Sequence, residues 1–67
     1  MEGTIKKVID NRGFGFIEIS GKDDDIFFHR SQVQSPLVFE ELKEGTVVQF
    51  ELEDTMKGPQ AVNITAA

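Results

Sequence analysis

Three phenylalanines and a histidine are the residues of this chain best placed to do chemistry. Phe14 and Phe16 alternate with Gly15 and Ile17, and Phe27 and His29 alternate with Ile26 and Phe28. Successive side chains of an extended strand point to opposite faces, so each segment reads as a strand with one face inward and one in water. With Ile17, Ile26 and Phe28 inward, Phe14, Phe16, Phe27 and His29 lie together in solvent. A small domain seldom exposes contiguous rings unless something binds there. Flat π-faces beside cationic side chains suit the unpaired bases of single-stranded nucleic acid. The converse assignment, with Phe14 and Phe16 inward and Ile17 and Ile19 outward, would leave Gly15 on the exposed face without a use.

Other chemistries fare worse. His29 has no plausible nucleophile near it in sequence that it could activate as a catalytic base. Asp23-Asp24-Asp25 has the form of a solvated turn and lacks the ligand spacing of a calcium loop, so no metal is expected. The remaining carboxylates are dispersed, and no pair converges as a hydrolase requires. We therefore expect no catalytic residues, no enzyme activity, no cofactor and no small-molecule substrate.

The elements that must carry the rings are short strands separated by turns. Thr4 to Ile9 is rich in β-branched residues and reads as a first strand. Asp10-Asn11-Arg12-Gly13 is a turn, Phe14 to Ser20 a second strand, residues 21–24 a turn, and Asp25 to His29 a third strand. Gly13 and Gly15 fit a strongly coiled sheet. Ser31-Gln32-Val33 reads as one helical turn with Ser31 as its N-cap, and Ser35-Pro36 as extended or turn backbone. From Thr46 to Glu53, Val48, Phe50 and Leu52 alternate with Gln49, Glu51 and Glu53, giving a buried apolar face and a solvated acidic one. Residues 54–59 read as a loop and Gln60 to Thr65 as a last strand. Five short strands in 67 residues fit one all-β domain, residues 1–67, closed or nearly closed as an antiparallel barrel.

The formal net charge is −5, which excludes a basic protein that coats duplex DNA. Its distribution is uneven. Residues 1–32 carry five basic groups (Lys6, Lys7, Arg12, Lys22, Arg30) against six acidic, and residues 33–67 carry two (Lys43, Lys57) against six. The acidic excess thus falls mostly in the half without the ring patch, and phosphate senses the field within about 8–10 Å. The chain has no cysteine, no apolar run of membrane-spanning length and no signal-peptide pattern, which fits a cytoplasmic location.

Arg12-Gly13-Phe14-Gly15-Phe16-Ile17 resembles the first ribonucleoprotein motif of cold-shock domains, and Asp25-Ile26-Phe27-Phe28-His29 resembles the second. Glu2-Gly3 and Gly58-Pro59-Gln60-Ala61 also match, in order and at nearly the family spacing, so the resemblance spans essentially the whole chain. It implies a five-stranded antiparallel OB-fold barrel that binds single-stranded RNA or DNA as a monomer, in the manner of RNA chaperones and antiterminators. It also implies basic contacts at Lys6, Arg12 and Lys57, and Asp25 bonding backbone at the strand entry. Phe39 takes either of two roles: cover for an open barrel end, or an outlying stacking platform.

The departures fall at aromatic positions. The family's first-strand Lys-Trp-Phe-Asn is here Lys6-Lys7-Val8-Ile9, and Arg30 stands where the family has phenylalanine after the motif histidine. Stacking contributes roughly 1–3 kcal/mol per base, so fewer platforms imply shorter reach or lower affinity. Arg30 can stack on a base or meet phosphate, and Lys7 can meet phosphate only. The bulk of Phe28 requires a small neighbour, for which Val8 is a candidate. The sequence-level expectation is stacking on Phe14, Phe16, Phe27 and His29, with Lys6, Lys7, Arg12, Arg30 and Lys57 holding the backbone. The rival is a barrel whose ring patch docks protein, nucleic-acid binding having decayed.

Overall fold

The computed structural model describes residues 1–19 and 25–67. The turn expected at residues 21–24, the end of the second strand at Ser20, and Lys22 lie outside the described residues. Five strands, β1 (Glu2–Ile9), β2 (Phe14–Glu18), β3 (Asp25–His29), β4 (Val47–Thr55) and β5 (Gly58–Ala66), close into a barrel in the order β1-β2-β3-β5-β4. Single 3-10 turns at Asp10–Arg12, Arg30–Gln32 and Phe39–Glu41 join them.

One expectation about the sheet is corrected. The barrel is mixed, because β3 runs parallel to β5 where Phe27 meets Gln60, and a parallel bridge between Val33 and Ile64 continues that seam. The cause is arithmetic: strand direction cannot alternate all the way round a closed ring with an odd number of members. The other four pairings are antiparallel.

Ile5, Ile17, Ile26, Phe28, Val48, Phe50, Ala61 and Ile64 fill the barrel, with Phe39 and Leu42 from the irregular connection. Gly15 decides which phenylalanine enters. It stands opposite Phe28, and a Cβ there would lie 2.5 Å from the Lys7 carbonyl oxygen and 2.8 Å from Phe28 Cε1 and Cζ. The missing side chain is the space the Phe28 ring occupies, so Gly15, rather than Val8 alone, accommodates its bulk. Gly13 ends the first turn with φ 74°, in the left-handed region where glycine is favoured.

Two irregularities override strict alternation. In β1 the register shifts between Ile5 and Lys7, so Lys7 comes out opposite Phe16 although it lies two residues from buried Ile5. In β4 the expected buried face stops early: Val48 and Phe50 are inside, but Leu52 is 43% exposed. Beyond Phe50, which still exchanges two hydrogen bonds with Met1, β4 has no partner on that side among the described residues and pairs with β5 alone. Leu52 therefore sits where β4 is flanked by β5 alone, at the start of a hairpin arm whose other strand still buries Ala61 opposite it. The arm also shortens the expected loop, because β4 and β5 pair as far as Thr55 and Gly58, leaving a two-residue turn. Thr55 clamps it, its hydroxyl donating to the Gly58 carbonyl at 2.6 Å and accepting from the Lys57 N–H at 3.2 Å.

Candidate nucleic-acid interface

The outer faces of β2 and β3 bring the predicted rings together. Phe14 pairs across the ladder with His29, and Phe16 with Phe27. Ring centres are 5.4 Å apart for Phe14 and Phe27, 5.8 Å for Phe14 and Phe16, and 6.1 Å for Phe16 and Phe27. All three rings are half-buried, and the core beneath them is Ile17, Ile26 and Phe28. Phe16 stands nearly edge-on to Phe14 at 89°, whereas Phe14 and Phe27 are tilted by 34°. The rings brace one another in geometries that aromatic pairs prefer, which orders the shelf before any ligand arrives.

Register extends the shelf into a row across four strands. Lys7 on β1 stands opposite Phe16, Phe16 opposite Phe27, and Phe27 opposite Gln60 on β5. Where the row meets the β4–β5 hairpin, an open cleft of about 390 Å³ is lined by Phe27, Thr55, Lys57, Gly58, Pro59 and Gln60. Pro59 and Gln60 line this cleft without standing out in the sequence as candidates; their only signal there is the Gly58-Pro59-Gln60-Ala61 block. A ring, an exposed ammonium and an amide around one opening can receive a base on one side and a phosphate on the other.

His29 is exposed at the far end, and its Nδ1 accepts the Ser31 N–H at 3.1 Å, with the Ser31 hydroxyl 3.0 Å away. His29, and not Ser31, therefore caps the Arg30–Gln32 turn. Because Nδ1 must offer a lone pair to a backbone N–H, the neutral ring carries its proton on Nε2, which leaves a donor for a ligand.

The cations divide into engaged and open. Lys6 bonds Asp25 at 3.0 Å. That hydrogen bond foremost, then the carboxylate's charge, raises the Lys6 pKa above its usual value. Asp25 thus gives Oδ1 to Lys6; the backbone just before it, where the resemblance places a bond from Asp25, lies outside the described residues. Arg30 Nη2 lies 3.5 Å from Glu40 Oε2, with its Cζ 5.9 Å from the centre of the Phe39 ring. Lys7, Arg12 and Lys57 are exposed, and no hydrogen bond or ion pair of theirs through a side chain occurs among the described residues.

Of the two roles open to Phe39 in the sequence, outlying stacking platform or cover, it takes the covering one. It is 4% exposed and meets Phe28 edge-on at 6.1 Å, so its ring has no face left for a base. Burying a phenylalanine in this way is worth about 1.5–3 kcal/mol.

An odd-stranded closed barrel with three rings and a histidine on the outer faces of two adjacent strands is an OB-type domain with an outward aromatic patch. The chain matches the 'Cold-shock' DNA-binding domain over residues 1–67. It is 42% identical over 66 residues to Cold shock-like protein CspC of Escherichia coli (strain K12), covering 98% of this chain and 94% of that one. It is 44% identical over 62 residues to Major cold shock protein CspA of Bacillus cereus, covering 92% and 90%. Among solved structures, drosophila Unr CSD456 aligns with a TM-score of 0.77 at 25% identity, over 98% of this chain and 26% of that longer one. The chain belongs to the cold-shock domain family, a family of nucleic-acid-binding domains. No helix among the described residues is long and apolar enough to cross a membrane.

Proposed function

We propose that this domain binds single-stranded RNA or DNA as a cytoplasmic monomer, stacking bases on Phe14, Phe16, Phe27 and His29. Lys7, Arg12 and Lys57 meet the backbone, Lys6 and Arg30 contribute once released from their carboxylates, and Phe39 supports the shelf from within. The observation that carries this reading is the mutual packing of Phe14, Phe16 and Phe27 on the outer faces of β2 and β3, over a core that does not use them. Bases can be gripped only when unstacked, so binding draws paired strands toward unpaired ones by mass action. A passive RNA chaperone or antiterminator needs no more than this, and no catalytic step enters.

Fluorescence anisotropy with a labelled oligopyrimidine and its duplex at low salt tests the proposal. Phe16→Ala and Phe27→Ala should each weaken single-strand binding by about 5- to 150-fold, the range that 1–3 kcal/mol of stacking corresponds to. Glu51→Ala, on the acidic face of β4, should leave it nearly unchanged. Absence of single-strand binding up to hundreds of micromolar would transfer the patch to a protein-docking role.

A further inference from the structure

Directly after the shelf's last residue, His29, the chain enters a 3-10 turn whose first residue is Arg30. The Arg30 N–H donates to the Gly13 carbonyl at 2.9 Å. Its Cδ comes within 3.0 Å of where a Gly13 Cβ would stand, so the stem lies against the turn that precedes Phe14. From there the guanidinium reaches across to the Phe39–Glu41 turn. It lies near the Phe39 ring, 5.9 Å from Cζ to the ring centre, and near Glu40 Oε2 at 3.5 Å. The buried Phe39 ring anchors this contact from below. Both charged side chains are more than half exposed, 56% for Arg30 and 54% for Glu40, so the pair is open to a competing ligand.

We propose that Glu40 is a built-in competitor for nucleic-acid phosphate at Arg30. In the free protein Glu40 partly neutralises the guanidinium. A strand whose base lies on Phe14 and His29 presents a phosphate to the same group and displaces the carboxylate. The inference rests on the nucleic-acid reading of the shelf. Its physical basis is the asymmetry between the two partners. The Arg30–Glu40 contact is long, exposed and single, the kind of pair that is weakly held. A phosphate can take the guanidinium fork through two parallel bonds. The expected consequence is a domain with attenuated affinity and salt dependence, because one cation at the rim is already partly compensated before the strand arrives.

The test is a double-mutant cycle on single-strand affinity, measured by anisotropy at several salt concentrations. Its members are the unmodified protein, Glu40→Gln, Arg30→Gln and the double variant, with Glu51→Gln as a control removing the same charge elsewhere. Far-UV circular dichroism verifies that each is folded. Glu40→Gln should tighten binding about 1.5- to 5-fold, the range that exposed pairs command. It should also steepen the logarithmic salt slope by up to about 0.7, one phosphate's worth on a single strand. In the Arg30→Gln background the Glu40→Gln change should have no effect, and Glu51→Gln should match the unmodified protein. Tightening that persists without Arg30, that Glu51→Gln reproduces, or that never occurs overturns the inference. Binding that depends on Phe16 and Phe27 yet ignores Glu40 sinks this inference alone, whereas no single-strand binding in the unmodified protein sinks the shelf reading beneath it.

Discussion

Replacing Gly15 by alanine adds one methyl group at the position that separates inside from outside in this barrel. That methyl carbon would stand 2.5 Å from the Lys7 carbonyl oxygen and 2.8 Å from two atoms of the Phe28 ring. Favourable contact between such atoms begins at about 3.5 Å, so both neighbours must retreat. Neither does so cheaply, since the carbonyl belongs to the β1–β2 ladder and Phe28 is wholly buried. Overpacking of this kind costs about 1–3 kcal/mol, and a clash with backbone as well as ring belongs at the upper end. Alanine recovers less than about 1 kcal/mol through its lower chain entropy. The net loss is therefore roughly 2–3 kcal/mol, against about 3–10 kcal/mol for a whole domain of 67 residues. At about 4–8 °C per kcal/mol, the melting temperature should fall by about 8–24 °C. The protein has no tryptophan or tyrosine, so urea and thermal unfolding are best followed by far-UV circular dichroism. Adding Phe28→Leu should restore part of the loss by removing the ring clash but not the carbonyl clash. A loss below about 0.5 kcal/mol would refute the reasoning, because it would mean that Phe28 does not occupy the space beside Gly15.

The hairpin arm makes a contrast within β4 and β5: Leu52→Ala should cost less than about 1 kcal/mol, and Ile64→Ala about 2–5 kcal/mol, in urea unfolding, since Leu52 is 43% exposed and Ile64 fully buried. The Lys6–Asp25 bond raises the Lys6 pKa above 10.5. A base held above its unfolded pKa adds stability that is complete below the unfolded value and vanishes as pH climbs through the folded one. The stability advantage of the unmodified protein over Lys6→Gln should therefore be constant between about pH 7 and 9 and shrink above about pH 10.5, which denaturation at stepped pH would measure.

Legibility in the sequence followed the range of the interactions involved. β3 is readable to the residue; the facing of Phe14 and Phe16 is readable because Gly15 leaves only one sensible assignment, and that of Phe27 because the resembling family has a small β-branched residue at the place of Phe28. The mixed seam was implicit in an odd strand count but is not a property of any single segment. The β1 bulge and the overrun of β4 are not legible: nothing local says that Lys7 changes phase or that β4 outruns β1, and so the sequence places Leu52 in the core. Phe39 stood between two roles because its place depends on the volume left at the barrel end by residues from other strands. The partners of the cations were hidden for the same reason, Asp25 being 19 residues from Lys6 and Glu40 ten from Arg30.

The six phenylalanines offer the most direct test, three on the outer shelf and three (Phe28, Phe39 and Phe50) in the core. Aromatic ¹H–¹³C spectra recorded while an oligopyrimidine is titrated in should shift the rings of Phe14, Phe16 and Phe27, through ring currents of stacked bases, and leave the other three nearly still. Saturable binding that moves the core rings alone, or moves none of the six, would contradict it.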